Sequence, residues 1–241
     1  MYEQLKNLIP KSFIKKNEKF LRKLIATFYA GNPYQCNICD FQMSRFITLK
    51  NTDQICPKCG SIGRNRKLWN LIENELSDKT VLHFSPSPSV QEKIQASNVG
   101  TYITTDYAGE FNATKNLNIE AIDEPDHTYD LIICYHILEH VVNDLQAMSE
   151  LYRISKPGGK CIIQTPFTEG EIYEDASIQT EEDRLKHFGQ EDHVRIYSVK
   201  GLRQRLESVG FSTTPLYSDA QENNVNGFKK GEQIIWAHKP Q

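Results

Sequence analysis

Two apolar runs bracket a helical stretch between residues 129 and 165, and they limit the fold of this 241-residue chain more tightly than anything else in it. Tyr129 to Cys134 reads as a buried strand, and Tyr135 to His140 as a polar turn. An amphipathic helix follows over about Asp144 to Ile154. Lys156-Pro157-Gly158-Gly159 then breaks the chain before a second strand, Lys160 to Thr165. Two apolar strands joined through a helix make a parallel crossover unit. In open sheets of such units, ligands bind outside the carboxyl ends of the strands. Both strands end there in polar residues, among them Tyr135, His136, Glu139 and His140.

The flanking sequence continues the alternation. Thr80 to Pro86 reads as a strand, Val90 to Ala96 as a helix, Thr101 to Tyr107 as a strand and Leu117 to Ile119 as a short one. A helix is expected over Ser198 to Val209, with Gly210 as its cap. STTPLY and Glu232 to Lys239 then pair as an antiparallel edge. Strands separated by helices argue for an α/β fold, a doubly wound Rossmann-like sheet closed by a C-terminal hairpin. The segment from Phe167 to Tyr197 is too long for a simple connection and reads as a lid or acceptor-binding insertion.

Ahead of this domain stand two CxxC pairs, Cys36/Cys39 and Cys56/Cys59, separated by Asp40 to Ile55. Each CxxC turn aims two thiolates at one point, and two such turns complete a sulfur tetrahedron. Gly60 suits the turn after the second pair. With four sulfur ligands and no open position, the site is expected to be structural. Zn²⁺ is the expected ion, with iron the competitor. The other two cysteines, Cys134 and Cys161, lie in expected strands as small buried thiols. A helix from Arg64 to Leu76 links this module to the larger domain.

Residues 1–30 read as helical, with Pro10 dividing two pieces and Gly31-Asn32-Pro33 ending the second. Apolar Phe13, Phe20, Leu21, Leu24, Ile25 and Phe28 recur at near-helical spacing. This segment carries seven bases against two acids, a net of +5, while the whole chain has a formal charge of −3. A basic, partly apolar helix can lie on an anionic membrane surface or simply pack on the body of the protein. The acidic remainder argues against a broad nucleic-acid groove. With no spanning segment and no secretory pattern, a cytoplasmic protein is expected, with peripheral contact at the inner membrane face as a further reading. The expected organisation is a helical segment at 1–33, a four-cysteine module at 34–63 and a catalytic domain at 64–241.

The segments Leu138-Glu139-His140-Val141 and Pro157-Gly158-Gly159 resemble the second half of class I S-adenosylmethionine-dependent methyltransferases. The resemblance implies a cofactor site at the tips of the first strands. Asp106 would accept hydrogen bonds from the ribose hydroxyls, or else cap a turn. Tyr107 would cover the adenine, and Asn118, beside Ile119, would meet its amino group. The first loop departs from the pattern. Phe84, Ser85, Pro86, Ser87, Pro88 and Ser89 stand where glycine usually lets backbone approach the ligand, and two prolines remove backbone donors. Methyltransferases with a four-cysteine knuckle in front resemble this chain in that loop and in the phrase HFGQEDHVRIY, His187 to Tyr197.

Transfer to a hydroxyl needs alignment and a proton acceptor, and histidine is the natural base near neutral pH. His193 is expected to be that base, with Asp192 or Glu139 orienting it. His136 and His140 are the alternatives, although the LEHV histidine of many class I enzymes mainly shapes the pocket. The resemblance implies a sugar or glycan precursor as acceptor. Two other readings stay open. One is a ribosomal RNA methyltransferase gripping RNA through its zinc module, with Arg64, Arg66 and Lys67 on phosphates. The other is a non-catalytic binding module.

Overall fold

The computed structural model describes residues 11–49, 52–217 and 223–241, with backbone alone for 11–16. The expected first helical piece, before Pro10, lies outside the described residues. The chain divides into two compact units.

The described residues of the first unit are 11–49, 52–73 and 223–230. Helix α1 is Lys11–Thr27. Strand β1, Ala30–Gln35, pairs antiparallel with β2, Gln42–Met43, and β3, Ile47–Thr48, with β4, Gln54–Ile55. Helix α2 is Gly63–Ile72. Gly31-Asn32-Pro33 therefore lies inside a strand and does not itself end the first helix. Pairing of Ala30 with Met43 draws these residues into extended backbone after α1 has already stopped at Thr27. Residues 223–230 return to this unit from between the last two strands of the sheet. Gln35 N donates to Val225 O at 3.1 Å, and Asn226 Nδ2 donates to Gln35 O at 2.9 Å. The boundary thus falls at 73/74 and not at 63/64, because α2 packs with the cysteine module. The helix also ends at Ile72, short of the expected Leu76.

The second unit contains the sheet. In chain order its elements are β5 (Thr80–Phe84), α3 (Pro88–Gln95), β6 (Thr101–Thr105), β7 (Tyr129–Tyr135), α4 (Asp144–Ile154), β8 (Ser155–Gln164), β9 (Tyr173–Glu174), α5 (Glu181–Phe188), β10 (Arg195–Ile196), α6 (Val199–Ser208), β11 (Ser212–Tyr217) and β12 (Gln233–His238). The six-stranded order is β11-β12-β8-β7-β5-β6. The strands from β8 to β6 are parallel, and β12 and β11 close the other edge antiparallel, as expected. Leu82, Ile132, Cys134, Cys161, Ile163 and Ile235 pack the core, and both of these cysteines are buried free thiols. Among the described residues no helix is long and apolar enough to cross a membrane.

Two sheet expectations need correction. Leu117 to Ile119 does not form a strand. The Leu117 amide donates to Thr105 Oγ1, and Asn118 Oδ1 accepts from Glu120 N, so the chain curls into a turn and only isolated bridges remain. The Lys156-Pro157-Gly158-Gly159 break lies within β8, whose register shifts there between Tyr129 and Leu131. Gly159 makes the irregularity possible, since a Cβ would stand 2.8 Å from Lys156 O and 3.1 Å from Tyr129 O.

Candidate active site and metal centre

The first loop replaces glycine without abandoning glycine's conformation. Ser85 follows β5 at φ +43°, in the left-handed region that side chains rarely adopt. Such strain persists where surroundings over-determine it. Here the Ser85 amide donates to Thr105 O at 2.7 Å, and its hydroxyl donates to Asp106 Oδ1 at 2.7 Å. Pro88 opens α3 at the first turn, where a missing N–H costs nothing, and Ser87 stands at the N-cap. Phe84 is buried in the core.

Asp106 is buried at the end of β6. Its Oδ2 accepts from the amides of Glu110 at 2.6 Å and Phe111 at 3.0 Å. Burial pushes its pKa up, but Ser85 and the amides of Phe111, Glu110 and Gly109 outweigh it and hold the carboxyl below its usual range. The turn-capping role is therefore filled. A carboxylate offers about four lone-pair sites, and three protein donors leave it room for one further bond. Tyr107 is exposed, Asn118 is engaged in its own turn and Ile119 is buried.

The carboxyl end of β7 gathers several titratable side chains. His136 has φ +55°, and its Nδ1 lies 3.0 Å from Glu139 Oε1. Leu138–His140 form one 3-10 turn, so Glu139 and His140 follow at once. The insertion contributes His193, whose ring meets that of His140 edge-on at 4.7 Å between centroids. Val194 N donates to Glu139 O at 2.9 Å and holds the two segments together. Three of these polar atoms are buried without a partner: His136 Nε2, Glu139 Oε2 and His193 Nε2. Burial, then the neighbouring His140, lowers the His193 pKa. Burial raises that of Glu139, but the His136 hydrogen bond and charge outweigh it and keep Glu139 below its ordinary value.

The orienting partners differ from expectation. Asp192 Oδ2 lies 3.0 Å from His140 Nδ1, and Glu139 pairs with His136. His193 is held by the backbone of Phe188 instead. Sequence reasoning pointed to the polar ends of β7 and β8 in general but not to Gln164 and Thr165 in particular. Gln164 Oε1 and Thr165 Oγ1 are also buried without partners, as is Tyr135 Oη. It also missed the clamp beneath the site. Arg195 donates to the carbonyls of Leu138, Val141 and Val142 and pairs with Glu174 at 2.8 Å. Tyr197 and Arg205 both reach Asp144 Oδ2 at 2.5 Å. For Arg195 and Tyr197 the only signal was the VRIY phrase itself.

In the first unit the four cysteines converge as their spacing required. Cys36 Sγ lies 3.7 Å from Cys59 Sγ, and Cys39 Sγ 3.6 Å from Cys56 Sγ. A zinc tetrahedron with bonds of about 2.3 Å has sulfur–sulfur edges of about 3.8 Å, so the donor set fits the ion. The two knuckles match. Asp40 (φ +56°) and Gly60 (φ +76°) turn the chain after each pair, and their amides donate back to Cys36 O and Cys56 O. Arg66 is fully buried beside them. It donates to the carbonyls of Ser61, Gln54, Asn226 and Gly227. Burial lowers its pKa and the surrounding thiolates raise it, so the cation and the tetrathiolate site offset one another's charge.

A family described as "Methyltransferase domain" matches residues 67–216. A tRNA U34 carboxymethyltransferase from Nautilia profundicola is 24% identical over 78% of this chain and 58% of its own length. A ubiquinone/menaquinone biosynthesis C-methyltransferase from Hydrogenovibrio crunogenus is 41% identical over 19% of this chain and 18% of its own. The chain thus spans between 18% and 58% of the length of the curated relatives it matches. Among solved structures, an S-adenosylmethionine-dependent methyltransferase from Archaeoglobus fulgidus superposes with a TM-score of 0.54 at 16% identity, covering 73% of this chain and 93% of that one. One from Mesorhizobium loti gives 0.52 at 10% identity, covering 71% and 97%.

Proposed function

The chain belongs to the class I S-adenosylmethionine-dependent methyltransferases through the domain at residues 67–216, and from that premise we propose that it moves a methyl group from S-adenosylmethionine to a hydroxyl of a small molecule, on a sugar or glycan precursor. One observation carries the reading. The carboxyl ends of the two parallel strands that flank β5 hold a ribose-capable carboxylate, Asp106 after β6, and a cluster of proton acceptors, His136 to His140 after β7 with His193. This is where sheets of this class bind ligands.

In this reading the Ser85 turn brings backbone close to the methionine part, and Asp106 accepts from the ribose. Tyr107 and Asn118 flank the adenine, and Tyr135 closes the pocket floor. His193 takes the hydroxyl proton through its unpartnered Nε2 as the oxygen attacks the methyl carbon. S-Adenosylhomocysteine leaves with the former S–CH₃ electron pair. Zinc in the four-cysteine site is structural. Titration calorimetry with S-adenosylmethionine, followed by turnover of His193→Ala, tests the proposal. Unchanged cofactor binding with turnover reduced at least about 100-fold supports it. No heat with either S-adenosylmethionine or S-adenosylhomocysteine would overturn it.

The tRNA-modifying relative favours RNA as a second acceptor class. Against that reading, Arg66 is buried and cannot reach a phosphate, and the formal charge is −3. Steeply salt-dependent RNA binding would reinstate it. We also propose that the enzyme is cytoplasmic and that residues 1–30 place it at the inner membrane face. Phe20, Leu24 and Phe28 stand 62%, 50% and 87% exposed on a lysine-rich segment. Equal flotation with anionic vesicles by the full chain and a chain lacking residues 1–30 would remove this idea.

A further inference from the structure

The cluster after β7 contains more than a proton acceptor needs. One ligand-capable atom from each of Glu139, His140 and His193 lies within 4.8 Å of the other two. Two of these side chains are almost fully buried, Glu139 at 1% and His193 at 3% exposure. Both offer a lone pair that no donor meets, at Glu139 Oε2 and His193 Nε2. Buried lone pairs that converge without a shared proton lose hydration and gain nothing in return. A cation between them removes that cost.

The surroundings support the same reading. Metal-bound imidazoles usually donate their other ring nitrogen to a carboxylate or backbone carbonyl, which fixes the tautomer. Asp192 engages Nδ1 of His140, and the Phe188 backbone engages the His193 ring. Ligating carboxylates are in turn hydrogen-bonded, and His136 engages Glu139 Oε1, leaving Oε2. Each of the three candidate ligands therefore has its outer partner in place. The Arg195 bonds to the carbonyls of Leu138 and Val141 hold the turn that carries two of them.

We propose that Glu139, His140 and His193 form a second metal site, separate from the four cysteines, for one divalent cation of the Mn²⁺ or Zn²⁺ type. Two imidazoles and a carboxylate suit such ions, whereas Mg²⁺ prefers an all-oxygen shell. With bonds of about 2.1 Å, donors stand about 3 to 4 Å apart, so the side chains close in by up to about 1 Å on binding. Three ligands on one side leave coordination positions open for water or an acceptor oxygen. The role in catalysis rests on the methyltransferase reading; the binding itself does not. A hydroxyl bound to the ion is acidified. With the ion bound, His136 Nε2 replaces His193 as the proton acceptor, since His193 cannot ligate and accept a proton with the same lone pair. The alkoxide takes the methyl and the sulfonium leaves as a neutral thioether.

The test uses full-length protein carrying zinc in its cysteine site, titrated with Mn²⁺, an ion that thiolates bind poorly. Calorimetry is expected to show one Mn²⁺ per chain. Pulsed electron paramagnetic resonance is expected to show hyperfine coupling from two imidazole nitrogens, a readout that needs no variant. Glu139→Gln and His193→Gln should each weaken binding at least tenfold while S-adenosylmethionine still binds as in the wild type. Asp106→Asn should leave Mn²⁺ binding unchanged. Absence of stoichiometric Mn²⁺ with its nitrogen coupling in the wild type, or equal affinity in both ligand variants, overturns the site. Failure of the wild-type protein to bind S-adenosylmethionine while it binds Mn²⁺ would overturn the methyltransferase reading and leave the metal site standing.

Discussion

Ser85 Oγ donates to Asp106 Oδ1 across 2.7 Å and ties together the tips of two adjacent parallel strands. The bond holds a non-glycine residue at φ +43° and fixes one oxygen of the candidate ribose-binding carboxylate. Hydrogen bonds to an ionised group contribute about 1.5–3 kcal/mol. Ser85→Ala is therefore expected to weaken S-adenosylmethionine binding about tenfold or more. Ser85→Gly should lose less, because glycine relieves the backbone strain. Calorimetry on both variants checks the order. Equal affinities for all three proteins would remove Ser85 from the cofactor site.

Asp106 also predicts motion. Two ribose hydroxyls require more acceptor capacity than three protein donors leave. Binding S-adenosylhomocysteine should therefore release the Glu110 or Phe111 amide from Asp106 Oδ2. Faster hydrogen exchange at those two amides in the complex is the expected outcome, against a general slowing elsewhere in the sheet. Slower exchange at both would show that the turn survives and that Asp106 takes a single hydroxyl.

His83 sets a pH dependence of stability. It is buried in β5, its Nδ1 lies 2.9 Å from Tyr102 Oη, and burial lowers its pKa to about 3. The unfolded chain binds this proton near pH 6.5 and the folded one does not. Stability is thus intact above pH 6.5 and falls as pH drops from there towards 3, by about 2 kcal/mol between pH 7 and pH 5. Urea unfolding at these two pH values should show that loss in the wild type. In His83→Leu the fall should be smaller by about that amount, although the variant forfeits the Tyr102 bond at every pH.

Removing metal from the four cysteines should unfold the first unit, which has few other core residues. Proteolysis after chelation is expected to cut within residues 30–62 while the sheet unit resists. Co²⁺ reconstitution should give the visible absorption of a tetrahedral thiolate site. Unchanged proteolysis after complete metal loss would show that Arg66 and its carbonyl partners hold the unit alone.

Arg195 should act on turnover without touching substrate. Arg195→Met leaves the carbonyls of Leu138, Val141 and Val142 without their donor and frees the turn bearing Glu139 and His140. Turnover should fall while the affinity for S-adenosylmethionine stays within about twofold, and Arg195→Lys should restore part of the loss. A parallel loss of cofactor binding would point to general unfolding of the unit instead.

Much of the fold was legible because its signals are local. Helix α4 covers Asp144–Ile154, as its apolar spacing and the following Pro-Gly-Gly indicated. The cysteine knuckles follow from covalent reach within each CxxC turn. The Leu117 strand was misread for the converse reason. Its apolar residues are buried, but Thr105 and Asn118 take the hydrogen bonds that a strand would have used.

By itself the sequence determined the parallel crossover, the antiparallel edge and the meeting of the four cysteines. Each depends on side-chain period or on neighbours a few residues apart. Tertiary structure alone decided which partners the charged groups take: Asp192 with His140, Glu139 with His136, and Arg66 inside rather than on the surface. Two of these choices join groups far apart in the chain, Arg66 with Asn226 and His140 with Asp192, while the Glu139 pairing lies within one turn. They follow from strand register and from the cost of leaving a buried polar atom unsatisfied, and neither is written in any short stretch of residues.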